Sequence, residues 1–252
     1  MRRCGGCSHD RHRHDMARRP HPVKGTVLLH YHGTPITPRA QLARMAGRMF
    51  CVSFAAPQDL ATCLRIGQSV MLDNGAFSVF TRGHKLDRDG FYAWIEPHLA
   101  HPHWAVVPDE IGGAVEQQRA MVTTWPHRKE YGAPVWHLGL PLEYLFDLCN
   151  DWPRVCIGSS GEFWQVGSSA WCGRMDETFN ALVKQFGRVP WLHGLRMLGQ
   201  AVGPWPLASA DSTNVGRNFK DGHVCAECMA QRIDSNNPPT LWTERPIQEA
   251  IC

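Results

Sequence analysis

The sequence predicts a single α/β fold, a (β/α)8 barrel of the TIM type, and three observations point to it. Eight short apolar runs of strand character recur along the chain, mostly separated by stretches of helical spacing, which implies parallel strands joined by crossover helices. With 252 residues, eight such units favour a closed barrel over an open doubly wound sheet. Several of the runs end in a carboxylate or a glycine-rich loop, as strand ends do at the mouth of a barrel.

In order, Thr26-Val-Leu-Leu-His30 reads as a buried strand that ends in the turn Tyr31-His-Gly-Thr-Pro35. Residues 38–49 follow with helical spacing of Leu42, Met45 and Met49. Phe50–Phe54 is the second strand, and Pro57–Ile66 a helix with proline at its start. Ser69–Asp73 is the third strand and runs into Asn74-Gly-Ala-Phe-Ser78. Residues 88–99 form a helix around Phe91, Trp94 and Ile95. Trp104–Val107 is the fourth strand, ending in Pro108-Asp-Glu-Ile-Gly-Gly113, and residues 114–125 make its helix. Pro134–Leu138 is the fifth strand, with Leu142–Cys149 behind it, and Arg154–Ile157 the sixth, opening into Gly158-Ser-Ser-Gly-Glu162. Residues 174–186 supply a further helix, Trp191–Met197 the seventh strand and Leu207–Ala210 the eighth. The expected division is a basic, flexible tail over 1–22 and a barrel over 23–252, the latter including a short C-terminal cysteine-containing segment.

Composition narrows the class. Hydrophobic content of 43% with 19% charged residues is that of a soluble globular domain, and no apolar run approaches the roughly 20 residues of a membrane span. The N-terminus lacks the apolar core of a secretory signal, and the ten cysteines are scattered, with Cys51, Cys149 and Cys156 inside apolar runs. That pattern suits a reducing compartment, and a cytoplasmic protein is expected. The net charge of +3 is uneven: residues 1–19 hold six Arg and two Asp, and the rest of the chain 20 basic against 21 acidic residues. A polyanion would therefore meet a local patch or the tail rather than a basic body. Within the tail, Cys4, Cys7, His9, His12 and His14 have the residue types of a metal site but no second pair at a familiar spacing.

The strand ends collect Asp73, Asp109, His137, Gly158 to Gly161 and Asp211. An isolated Asp211-Ser-Thr213 reads first as a helix cap. Three carboxylates converging on one mouth, however, repel one another and are retained where a ligand or a reaction uses them.

The order Asp-x-Gly-x-Phe at 73–77, Pro-Asp with Gly-Gly at 108–113, His137 before Leu-Gly, the Gly-Glu loop at 158–162 and Asp211 near Gly-Arg-Asn at 216–218 resembles the tRNA-guanine transglycosylase superfamily over about residues 25–230. Compactness and His193-Gly-Leu-Arg-Met-Leu198 make the chain similar to the DNA-modifying branch of phages and bacteria, which exchanges guanine for a 7-deazaguanine such as a preQ0-like base. The resemblance implies Asp211 as nucleophile at C1′ and Asp73 as acid/base. It implies Asp109 as acceptor for the guanine edge, with His137, Gly158, Ser159, Ser160 and Glu162 around the base, Phe77 as a stacking surface, and Arg217 and Asn218 on sugar or phosphate. The bottom-up chemistry agrees: retaining substitution at an anomeric carbon needs one nucleophilic and one acid/base carboxyl, and a base within a duplex must be flipped out.

The sequence also departs from the family. Asn74, Ala76 and Ser78 replace Ser, Gly and Gln of the tRNA enzymes, and His137 replaces an amide, which leaves the identity of the incoming base open. Where the family holds zinc, His223, Cys225 and Cys228 are the corresponding residues, with Cys252, or Cys4 and Cys7, as further ligands, and the reading of Cys225 and Cys228 as reduced residues in a terminal helix stays open. No organic cofactor is expected. Expected partners are DNA, a free 7-deazaguanine base and a protein that opens the duplex, and no membrane. A tRNA-guanine transglycosylase, a glycosidase and a non-catalytic nucleic-acid-binding subunit are the alternatives.

Overall fold

A strand alternates its side chains between two faces, so a run such as Ser69-Val-Met-Leu-Asp73 presents Met71 and Asp73 to one side and Val70 and Leu72 to the other. In the structure, a computed structural model that describes residues 27–221 and 225–246, nine such strands form one parallel sheet. They are β1 (Leu29–Gly33), β2 (Met49–Ser53), β3 (Ser69–Asp73), β4 (Trp104–Val106), β5 (Gly132–Ala133), β6 (Val135–His137), β7 (Val155–Gly158), β8 (Leu192–Gly194) and β9 (Ser209–Ser212). Their spatial order is β5-β4-β3-β2-β1-β9-β8-β7-β6. The two ends of that order, β5 and β6, are separated in the chain by Pro134 alone, and the Pro134 carbonyl accepts a bond from Cys156 on β7. One stave, interrupted where proline has no N–H to give, therefore pairs with β4 by its first half and β7 by its second, and nearly closes the barrel. Counted in this way there are eight staves, as the sequence predicts.

The connections are α1 (Arg39–Ala43), α2 (Leu60–Ile66), α3 (Ala76–Thr81), α4 (Arg88–Ile95), α5 (Val115–Thr123), α6 (Leu142–Asp151), α7 (Ser169–Phe186), α8 (Asn214–Asn218) and α9 (Ala226–Asp234). Caps define several of them: Asp87 accepts from the Gly90 amide at the start of α4, and Ser168 from Trp171 at the start of α7, which Gly187 ends at φ 67°. No helix among the described residues is long and apolar enough to cross a membrane.

Two cores follow from the alternation. Outward-facing Val52, Leu72, Trp136, Ile157 and Ala210 pack against the helices. Inward-facing Tyr31, Cys51, Met71, Trp104, Val106, Val135 and Cys156 fill the barrel. Near the N-terminal ends of the strands, the Trp104 indole donates to the Tyr31 hydroxyl at 2.9 Å, and the Arg154 guanidinium lies over the Trp104 and Trp191 rings. The closed bottom leaves the C-terminal ends as the open face.

Several boundaries differ from the sequence expectation. β1 runs over Leu29–Gly33 rather than Thr26–His30, because Leu29 to His32 pair in register with Ser209 to Ser212 and the polar His30 and His32 are tolerated outside the barrel by bonds to the C-terminal segment. The eighth run starts at Ser209 rather than Leu207 and includes Asp211, which places the carboxylate within the strand. The seventh stops at Gly194, and within Asn74–Ser78, the segment that follows the third strand, helix α3 begins at Ala76. The tail over 1–22, with Cys4, Cys7 and its histidines, lies outside the described residues, as do His223 and Cys252. The C-terminal segment docks on the outer face of β1, where Asp234 receives His32 at 2.9 Å and Arg48 at 3.0 Å.

Candidate active site

The same period-two alternation that buries Met71, Val135 and Ser209 inside the barrel carries Asp73, His137 and Asp211 to its inner rim, two residues further along each strand. Together with Asp109, just past β4, they line one cavity of about 730 Å³ at the C-terminal face. Sequence reasoning placed these four together, and the structure does so too. A cavity of this size is in the range of small-molecule sites.

Asp211 is buried, and its Oδ1 is held twice: by the Arg196 amide at 2.8 Å and by His193 Nε2 at 3.2 Å. With Asp211 ionised, and so only an acceptor, His193 donates from Nε2, and its Nδ1 accepts a hydrogen bond from the buried Ser209 hydroxyl at 2.6 Å. Among the described residues no protein donor reaches Asp211 Oδ2. One oxygen is thus fixed and the other faces the cavity, the arrangement a nucleophilic carboxylate needs.

Asp73 sits three staves away, on β3, opposite Ser53 in the β2–β3 register. Enclosure by the barrel mouth, and then the charges of Asp211 and Asp109, push its carboxyl up from the usual range to about 6, against bonds from Ser53 and the Gly75 amide. Both protonation states are then accessible near neutrality, as an acid/base group requires. Burial, reinforced by Asp211 and Asp73, drives the thiol of Cys51 on the same wall well up, so it is a neutral lining group.

Asp109 forms the third anchor. Its Oδ2 lies 2.8 Å from His137 Nε2 and its Oδ1 accepts from Asn74 Nδ2 at 2.9 Å. His137 Nδ1 is 3.1 Å from Ser160 Oγ. With Asp109 ionised, His137 holds its proton on Nε2 and accepts from Ser160, giving the line Ser160–His137–Asp109 along the cavity wall. A glycine at 158 makes this line fit, since a Cβ there would stand 2.7 Å from His137 Nδ1.

At the rim the Arg196 guanidinium lies 3.9 Å from the centre of the Phe77 ring, and its Nη2 donates to the Ser159 carbonyl at 3.2 Å. Arg196 adopts φ 60°, and it is the one non-glycine residue in the left-handed region among those described. That conformation turns its amide toward Asp211 while its side chain turns to Phe77. Arg82 and Arg217 also line the cavity.

Other expected positions fall elsewhere. Ser159 lines the wall, but its hydroxyl accepts from the Trp171 indole at 2.9 Å, a core bond. Glu162 is exposed on the turn Gly161–Phe163 and is not among the residues that line the cavity, and Asn218 donates to Asn214 at 2.7 Å on the far end of α8. Cys225 and Cys228 meet at 2.8 Å at the start of α9, and no group of three metal-ligating side chains occurs among the described residues. Four residues were not singled out as site residues from the sequence: Asn74, Arg82, His193 and Arg196. His193 alternates in phase with Asp211 across the paired strands β8 and β9, a signal that strand periodicity contained.

Comparison with protein-family models, curated proteins and solved structures finds no match to this chain.

Proposed function

We propose that the protein is a DNA-guanine transglycosylase that replaces guanine by a 7-deazaguanine base through a covalent glycosyl-enzyme on Asp211. The observation that carries this reading is the pairing of two unlike carboxyls in one cavity, Asp211 fixed through one oxygen and open at the other, and Asp73 raised to about 6.

In the first step Asp211 Oδ2 attacks C1′ as the bond from C1′ to N9 breaks. The electron pair leaves with guanine, which takes the proton of Asp73. In the second step Asp73, now ionised, removes the N9 proton of the incoming deazapurine, N9 forms the new bond to C1′, and the Asp211 carboxylate is released. Two displacements retain the anomeric configuration. Asp109 keeps a further lone pair on each oxygen for the N1–H and amine edge of a guanine-like base, while Asn74 and His137 hold it in place. Phe77 offers a stacking face, and Arg82 and Arg217 offer charge to the phosphates of a flipped or single-stranded nucleotide. A structural zinc ion belongs to the same reading: Cys225 and Cys228 would be half of a tetrahedral set completed by His223 and by Cys252 or a cysteine of the tail, Cys4 or Cys7, and metal analysis of purified protein tests it.

The decisive experiment is base exchange. Purified protein is given DNA or tRNA with labelled 7-cyano-7-deazaguanine or its aminomethyl relative, beside Asp211→Ala. Label in DNA that requires Asp211 is the expected result. Label in tRNA would keep the mechanism and change the polymer, and label in neither would favour a binding subunit.

A further inference from the structure

Beside the candidate active site lies a second cavity of about 510 Å³, and Ala76, Asp109 and Ile111 line both. Helix α3 is the wedge between them. Phe77 and Phe80 stand one turn apart on it, Phe77 toward the first cavity and Phe80 in the second. Phe80 is 56% exposed, an apolar ring that the fold leaves uncovered. Around it stand His84, Lys85 and Arg88, and among the described residues neither Lys85 nor Arg88 forms an ion pair. On the opposite flank Glu110 and Gln117 offer hydrogen-bond acceptors and a donor. Arg82, which lines the first cavity, continues the cationic side chains to its rim.

Exposed aromatic rings interleaved with unpaired cations are the composition of a track for a single-stranded polynucleotide, in which bases stack and phosphates meet positive charge. We infer that the second cavity takes the nucleotide adjacent to the target guanine in a single DNA strand, its base against Phe80 and its phosphate at Lys85 and Arg88. The inference rests on the transglycosylase reading and adds to it a direction: the strand crosses α3, with the reacting nucleotide on the Phe77 side and its neighbour on the Phe80 side. Phosphate contacts at Lys85 and Arg88 hold the register, and Glu110 and Gln117 face the edge of the neighbouring base, where they set a preference for sequence context.

The test uses the full chain and labelled single-stranded 12-mers containing one guanine, with affinity read by fluorescence anisotropy at three salt concentrations. Phe80→Ala is expected to weaken binding about five- to a hundredfold, in line with the loss of one stacked base. Lys85→Ala with Arg88→Ala is expected to weaken it and to flatten the salt dependence by about 0.7 for each phosphate that is no longer neutralised. An abasic nucleotide on one side of the guanine should reproduce the Phe80→Ala loss in wild type and cause no further loss in that variant. Melting curves of both variants, which alter exposed side chains, control for folding. Base exchange by the same preparations separates the two levels. Exchange in wild type with unchanged affinity and KM in the variants would overturn the neighbouring-nucleotide site alone. Neither exchange nor binding by wild type would overturn the transglycosylase reading, and the site with it.

Discussion

His137 Nε2 lies 2.8 Å from Asp109 Oδ2, with both side chains about nine-tenths buried, and this pair organises one wall of the cavity. Removing the carboxylate would leave His137 Nε2 without its acceptor and Asn74 with only the Val107 carbonyl, in a place water scarcely reaches. Asp109→Ala is therefore expected to cost about 2–4 kcal/mol of stability, measured by urea unfolding. Nitrogen-15 spectra should place the His137 proton on Nε2 in the wild type, and Asp109→Asn should abolish that preference.

Asp73 links the site to pH. Its folded pKa of about 6 lies above the ordinary carboxylate value, so the folded state binds the proton more tightly than the unfolded one. Its ionisation therefore costs stability: the cost is absent below about pH 4, grows between about 4 and 6, and is complete above that. Asp73→Asn should be more stable than wild type at pH 7.5 by about 1–3 kcal/mol and equal to it near pH 4. The comparison is denaturant unfolding at the two pH values.

Asp211 contributes to that shift, and its neutralisation has a defined sign. With the charge of Asp211 removed, one of the effects that raises Asp73 is lost. In Asp211→Asn the Asp73 carboxyl, followed by carbon-13 NMR titration, should titrate below its wild-type midpoint.

Arg196 separates backbone from side chain. At φ 60° a residue with a Cβ is strained by about 1–2 kcal/mol, whereas glycine is not. Arg196→Gly should thus be more stable than Arg196→Ala by about 1 kcal/mol. Both lose the guanidinium over Phe77, so both should raise KM for the polymer.

At Gly158 the expected effect is steric. A methyl group would sit 2.7 Å from His137 Nδ1, and the ring must swing away from Ser160. Gly158→Ala is expected to cost about 1–3 kcal/mol and to disturb the wall that faces the base. Loss of the His137 tautomer signal without unfolding would be its spectroscopic mark.

Much of this molecule is legible in the chain. Short apolar runs with alternating partners name the strands, and Ser69–Asp73 agrees residue for residue with β3. Asp73 and Asp211 are legible as carboxylates at the ends of apolar runs, and strand alternation then puts them on the same face as Met71 and Ser209, nearer the mouth. What the sequence could not supply is everything that depends on how separate strands are staggered around the ring. The pairing of Asp109 with His137, 28 residues apart, follows from where β4 and the Pro134-interrupted stave meet, and no local pattern encodes it. The Arg196 amide reaches Asp211 because the chain leaves β8 in a left-handed turn, although the apolar run itself continues to Met197 as if the strand did. Glu162 and Asn218 have the right residue types and lie near the right strand ends, yet Glu162 sits exposed on a turn and Asn218 bonds Asn214 within α8, and neither lines the cavity. Sequence alone determined which faces the side chains occupy, because that is a local, periodic property of the backbone. Tertiary structure decided which of them meet, because the register of a nearly closed barrel is set by all its strands together.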